Sequence, residues 1–325
     1  MSNFTSLQIL AYRMPTFTAL AAKSLAPDSG SRIGQGLDAQ AQALLQRFAA
    51  VLNYAKSLPS VDAKTTTLKV FVAPEFYFKG VGGEHWGSFT FNSMINMLAA
   101  LKEISVPGPD WVVVAGTIIF YLPNSAGYKR ANGTAVKPTE CVYANVAPVI
   151  TQGGLTYVLK HFISDIDYLP KPEWLELESI WESNVFSSCL EDWTEQKARF
   201  ITVGNRTIGL EVCLDHAEQQ LADAIDDYAV QEKRAAPPID LHLITSCGMT
   251  IETPLARKNG YVVLCDGQGR GKDKGSQLNK VADKTLADLI VPAKIEPLTG
   301  ALAASSTQAK PQQSIAVYPA QLLPG

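Results

Sequence analysis

In IGLEVCLDHAE, Ile208 to Glu218, an apolar run ends at Cys213, acidic and imidazole groups follow at once, and a helical pattern begins. A thiol at the carboxyl end of a strand, on a sharp turn into a helix, lies where open α/β sheets keep their ligands and expose nucleophiles. A free cysteine is, however, more often a small buried hydrophobe than a reactive group. The weight therefore falls on what else ends a strand, and two further residues do so, Glu75 and Lys160.

Working outward from Cys213, Arg199 to Val203 and Arg206 to Val212 flank Gly204 and Asn205, a two-residue hairpin signal whose second arm delivers the cysteine. Beyond it, Leu221, Ile225 and Tyr228 mark a helix face, Leu241 to Ser246 a strand, Thr253 to Lys258 a short helix and Tyr261 to Cys265 another strand. Residues about 267–313 read as flexible, from the polar Gly267 to Gly275 to a mobile loop over Ala301 to Gln313, and Ser314 to Pro319 reads as a last edge strand.

Upstream, Ser6 to Tyr12 and Leu68 to Ala73 have the profile of buried strands, the second stopping at Pro74 just before Glu75. Helical spacing runs from Leu37 to Leu52 and again from Met94 to Ile104, and Trp111 to Phe120 is another buried strand. Tyr143 to Ile150 reads as a strand that Pro148 assigns to an edge or a bulge, and Leu155 to Leu159 returns after a glycine turn and ends at Lys160. Residues about 161–198 lack periodicity but hold Trp174, Trp181 and Trp193, as a functional lid or an interface would. With no internal repeat and no linker, the pattern points to one α/β domain over residues 1–325, with a mixed sheet or two stacked sheets.

Composition narrows the function classes. A chain of 325 residues with 46% hydrophobic content can bury a large core, and its net charge of −3 gives no footprint for nucleic acid or an anionic membrane. No signal peptide or bilayer-length apolar run is read, so a cytoplasmic location is expected. The 5 cysteines are widely spaced without a CxxC pair, which argues for reduced thiols and against a disulfide framework or a zinc site. The 4 histidines are equally scattered, so no metal constellation is read.

If the three strands are neighbours, Glu75, Lys160 and Cys213 meet at one rim. A carboxylate beside the thiol can take its proton and return it to a leaving amine. The ammonium, helped by the backbone N–H of Leu214, would stabilise the tetrahedral adduct, and a thioester would form for water to resolve. FVAPEFYF around Glu75, YANVAPVITQGGLTYVLKHF around Lys160 and IGLEVCLDHAE around Cys213 resemble, in order, the three motifs of the nitrilase superfamily of carbon–nitrogen hydrolases. NGYVVLCDGQG, Asn259 to Gly269, is similar to a later stretch of that family.

The resemblance implies a Glu75, Lys160, Cys213 triad in an α-β-β-α sandwich of two mixed sheets, with no metal or organic cofactor. It also implies a small amide, carbamoyl or nitrile substrate and assembly into homodimers or larger oligomers through the outer helices. Asn145 stands where members have an Asn followed by small residues. Leu214 replaces the family's aromatic after the cysteine, while Asp215 keeps the acidic position, which leans towards amide cleavage. Members also carry a second glutamate after the lysine for substrate placement; the nearest acids here are Asp165 and Asp167, of which Asp167 is put forward. His216 is expected to cap or line the pocket, and Phe76 and Tyr77 to line it or belong to the core. Two other readings stay open: an acyl-cysteine enzyme that transfers to an amine, and a non-catalytic protein that keeps the fold.

Overall fold

The computed structural model describes residues 2–16, 37–80, 87–104, 108–123, 141–162, 164, 167, 199–269, 275–302 and 313–325. In chain order these form β1 (Ser6–Arg13), α1 (Ala39–Ser57), β2 (Thr67–Val72), β3 (Phe89–Thr90), α2 (Phe91–Lys102), β4 (Trp111–Val114), β5 (Ile118–Pro123), β6 (Cys141–Thr151) and β7 (Gly154–Leu159). There follow β8 (Phe200–Val203), β9 (Arg206–Val212), α3 (Leu214–Ala217), α4 (Gln220–Glu232), β10 (Leu241–Ser246), β11 (Tyr261–Asp266), β12 (Ser276–Ala282), β13 (Thr285–Ile290), β14 (Lys294–Pro297), β15 (Ser314–Val317) and β16 (Gln321–Leu322).

The strands pair into two sheets. One runs β14-β15-β1-β2-β4-β6-β5-β3, with β16 beside β1 and β7 beside β6; the other runs β13-β12-β11-β10-β9-β8. Each is mixed: β1, β2 and β4 are parallel, as are β9, β10 and β11, while β15 beside β1, β6 beside β4, β12 beside β11 and β8 beside β9 are antiparallel, and β3 is parallel to β5 at the far edge. Period-2 alternation sorts the side chains. Leu7, Ile9, Val70, Val72, Val112 and Val114 of the first sheet face Leu210, Val212, Leu243, Val263 and Leu278 of the second in one inter-sheet core. Each such residue stabilises the fold by roughly 1.5–3 kcal/mol when fully buried.

The opposite faces carry the helices. Leu10, Phe71 and Val113 pack under Leu44, Phe48, Leu52, Met94 and Leu101 of α1 and α2, and Ile244, Val262 and Leu264 pack with Leu221 of α4. The layers are therefore α-β-β-α. Asp38 caps α1 by accepting from the N–H groups of Gln40 and Ala41, and Thr90 caps α2 by accepting from that of Ser93. Gly209 brings α4 onto the second sheet, since a Cβ there would lie 2.6 Å from Leu221 Cδ2. Among the described residues no helix is long and apolar enough to cross a membrane.

Several expectations need correction. Residues 276–297 are not a flexible segment but strands β12, β13 and β14; their alternation is blurred because β13 and β14 are largely exposed. Residues 270–274 and 303–312 lie outside the described residues, as do most of 161–198. β15 is not an edge strand but is paired on both sides, by β14 and β1. No helix forms over Thr253 to Lys258. There the N–H groups of Glu252 and Leu255 are given to His216 and His242 instead of to a helical ladder. Trp111 to Phe120 is interrupted, with the four steps from Val114 to Ile118 facing the three from Val149 to Val146 of β6. Pro148 lies opposite this bulge, inside a strand paired on both sides, and its carbonyl accepts the Ala115 N–H.

Candidate active site

The rim is assembled by hydrogen bonds within the second sheet and by one side-chain bond from that sheet to the first. Cys213 follows β9 with φ 50° and ψ −113°, a left-handed conformation costly for a residue with a Cβ, and opens α3. Its N–H donates to the Thr245 carbonyl at 2.9 Å, and the Thr245 hydroxyl donates to the Ala73 carbonyl at 2.9 Å. One β10 residue thus pins the end of β2, which carries Glu75, beside the turn that carries the thiol.

Glu75 is fixed on both sides. Its carbonyl accepts the Thr16 hydroxyl at 2.5 Å, and the next residue, Phe76, at φ 61°, donates its N–H to Thr117 Oγ1 at 2.8 Å. Gly116 at φ 81° makes room for this turn, since a Cβ there would lie 2.5 Å from the Pro74 carbonyl oxygen. Lys160 follows β7, and its N–H donates to the Asn145 carbonyl at 2.8 Å on β6.

The charged side chains converge where none is exposed. Lys160 Nζ donates to Glu75 Oε1 at 2.8 Å and to both oxygens of Asp167 at 2.9 and 2.8 Å, with all three residues 0% exposed. Asn145 Nδ2 donates to the same Glu75 Oε1 at 3.0 Å. Glu75 Oε2 and Asn145 Oδ1 are buried without a hydrogen-bond partner among the described residues. Burial pushes the Glu75 carboxyl up and Lys160 pulls it back, while Asp167 adds to the rise, so it is raised to about 7. Burial alone would lower Lys160, but Asp167, Cys213 and Glu75 outweigh it and hold the ammonium well above the usual lysine range. Burial, then the Glu75 charge, push the Cys213 thiol well up. At rest the sulfur is therefore protonated beside an acceptor that titrates near neutrality.

The structure thus brings together Glu75, Lys160, Cys213, Asn145 and Asp167. Phe76 joins them, its ring 5.8 Å from Lys160 Nζ. Tyr77 does not: it lies in the core, its ring 5.4 Å from that of Phe48 and 4.7 Å from that of Phe78. Leu214 begins α3 directly after the thiol. Asp215 is fully buried and acts as a bracket. Its Oδ1 accepts the N–H groups of His161 and Phe162, both at 2.8 Å, and its Oδ2 accepts from Arg199 Nη2 at 3.0 Å. The segment after Lys160 is thereby tied to the helix after Cys213.

His216 does not line the thiol's pocket. Its Nδ1 is 2.7 Å from Glu211 Oε2, and its Nε2 accepts the Glu252 N–H at 2.9 Å. His242 is bound alike, with Nε2 2.8 Å from Glu211 Oε2 and Nδ1 accepting the Leu255 N–H at 3.1 Å, while Glu211 Oε1 accepts the Leu221 N–H at 2.7 Å. These three side chains have ligand atoms within 4.8 Å of one another, a spacing that fits a metal ion. The hydrogen bonds argue otherwise: a backbone N–H occupies the lone pair of one nitrogen in each ring, so the other carries the proton and donates it to Glu211. The cluster is a closed network that braces the turn from the outer face of the second sheet.

Burial pushes Glu211 up, but the bonds from His216 and His242 prevail and lower it to about 2. A depressed carboxyl contributes stability that is present above its unfolded value of 4.5 and lost as pH falls towards 2. We therefore expect Glu211→Gln to cost about 3 kcal/mol at pH 7, with the deficit shrinking as pH falls below 4.5 towards 2. Denaturant titrations of both proteins across that range check it, and a deficit independent of pH would contradict it.

Thr16, Thr117, Thr245, Arg199 and the Glu211 network are site-building residues that motif reading does not single out. Glu211 and His242 carried a usable signal, each being a polar residue inside a buried strand, where it must find partners. The threonines carried none, since their partners are backbone groups distant in sequence.

No family model matches the sequence, and no curated protein matches it. Among solved structures, the chain is similar to the glutamine-dependent NAD+ synthetase of Acinetobacter baumannii at 12% identity and a TM-score of 0.40, covering 88% of this chain but 43% of that one. It is similar to the Nesterenkonia AN1 amidase from the nitrilase superfamily at 12% identity and a TM-score of 0.38, covering 89% and 87% of the two chains. It is also similar to an N-terminal amidase at 11% identity and a TM-score of 0.34, covering 78% of this chain and 51% of that one. The chain thus spans about half or less of the synthetase and the N-terminal amidase.

Proposed function

We propose that the protein is a thiol hydrolase of the nitrilase superfamily that cleaves a non-peptide carbon–nitrogen bond in a small amide, carbamoyl compound or nitrile. The observation that carries this reading is the unpaired Glu75 Oε2, beside a thiol on a strained turn, in a carboxyl whose other oxygen is held by Lys160 and Asn145. Oε2 is the atom free to accept the thiol proton as Cys213 Sγ attacks the substrate carbon. The new oxyanion, or the thioimidate nitrogen formed from a nitrile, is met by the Lys160 ammonium and the Leu214 N–H. For an amide, Glu75 returns the proton to the departing nitrogen, the C–N bond breaks, and a thioester on Cys213 remains. Glu75 then takes a proton from water, whose oxygen attacks the thioester, and the acid leaves as the thiol is regenerated.

Asp167 supplies a second negative charge against Lys160, so the ammonium stays charged whether or not Glu75 is ionised. This differs from the substrate-placing role that the resemblance suggested for it, since both of its oxygens are occupied by Lys160 and Ser164. Intact mass spectrometry after mixing with a panel of amides and nitriles tests the reading: an acyl adduct located on Cys213 is expected, whose mass names the acyl group. Adducts on Cys247 that survive in Cys213→Ala would refute it. The rate of adduct formation is expected to fall as pH drops through about 7, because the base must be ionised to act. An acid limb absent down to pH 5 would remove Glu75 from that role.

A further inference from the structure

Resting on that reading, we propose that Lys79 is a substrate-recognition residue, and that the acyl chain bound at this rim carries a carboxylate which Lys79 receives. Its ammonium lies 4.9 Å from the centroid of the Phe76 ring, the same ring that Lys160 Nζ approaches at 5.8 Å. Two cations thus approach one aromatic ring next to Glu75. They differ in their partners: Lys160 is ion-paired with two carboxylates, whereas Lys79 has no hydrogen bond or ion pair among the described residues.

The backbone around Lys79 is fixed. Phe78 donates its N–H to the Thr117 carbonyl at 3.0 Å on one side, and Gly80 donates to the Gly87 carbonyl at 2.7 Å on the other. The side chain is half-buried, and the carboxylates of Asp167 and Glu75 reach it without touching it. Burial lowers its pKa, the sign of an ammonium that has given up water, and no described residue is in contact with it as a counterion. An anion arriving from solvent would supply what is missing. Without Lys79, the rim would hold Glu75 and Asp167 against Lys160 alone and would repel such a group. A single ammonium suits one carboxylate as a point charge.

The test uses a pair of alkylating agents, iodoacetate and iodoacetamide, which attack the same sulfur and differ by one carboxylate. Their rates at Cys213 are read by peptide mass spectrometry and divided by those for free cysteine. In the wild-type protein the corrected iodoacetate-to-iodoacetamide ratio is expected to exceed unity by about ten-fold, and to decline with added salt. Lys79→Met is expected to bring the ratio to unity or below, and Lys79→Arg to keep most of it; Lys79→Gln serves if the methionine variant does not fold. A wild-type ratio at or below unity, or one unchanged in both neutral variants, overturns the assignment of Lys79 while leaving Cys213 as the nucleophile. Alkylation by neither reagent at Cys213 would overturn the hydrolase reading and this one with it.

Discussion

Cys213→Ala is expected to abolish turnover, lowering kcat/KM by about four orders of magnitude or more, while the chain stays folded. The substitution keeps the Cβ and removes only the sulfur, which the mechanism uses as nucleophile and no element of the fold depends on. Glu75→Gln is expected to do the same for a different reason: the amide oxygen can still accept from Lys160 and Asn145, but no atom is left to take the thiol proton. The two variants separate catalysis from stability. Glu75 titrates at about 7 in the folded protein against 4.5 unfolded, so its contribution to stability is fully present below 4.5 and lost as pH rises through 7. At pH 8 the glutamine variant should therefore be at least as resistant to denaturant as the wild type. Turnover within ten-fold of wild type in either variant, measured on whichever substrate forms the adduct, would end the assignment.

Asp215→Ala is expected to have the largest effect on the fold, a loss of about 3–5 kcal/mol. The arithmetic follows from what the carboxylate holds. Removing it leaves the Arg199 guanidinium, 2% exposed, with the Leu159 carbonyl as its remaining partner among the described residues, and takes the Asp215 acceptor from the N–H groups of His161 and Phe162. A buried charge stripped of its partner costs far more than the net worth of the pair. Because His161 directly follows Lys160, activity should fall along with stability. Asp215→Asn, which keeps an acceptor for the backbone, should recover part of both. Equilibrium denaturation of the three proteins decides it, and an alanine variant as stable as wild type would show that the bracket is not structural.

Much of this was legible in the sequence because it rests on local rules. The Val203-Gly204-Asn205-Arg206 hairpin is fixed by turn chemistry, the strands of the inter-sheet core by their buried apolar runs, and the meeting of Glu75, Lys160 and Cys213 at one rim by three stretches in order. What was not legible rests on pairing at a distance. β12 to β14 hide in a stretch whose exposed faces erase the alternation that marks a strand. The absent helix at Thr253 to Lys258 was lost to His216 and His242, whose demand for backbone donors outweighs local propensity. The same two histidines looked scattered because 26 positions in the numbering collapse to a ring separation of 5.1 Å once β9 and β10 pair. Tyr77, two residues from Glu75, faces the helix layer rather than the site because the turn at Phe76 sends successive side chains apart.

The placement of β15 between β14 and β1, with Leu10 opposite Val317, bears on how the molecule is made. β1 keeps one hydrogen-bonding edge open until residue 314 and those after it exist. At about 5–20 residues per second, that interval is on the order of half a minute. During it a nascent chain displays an apolar ribbon with unpaired donors and acceptors, a template for association with other chains. Closure of this edge of the first sheet therefore waits until β15 has been made.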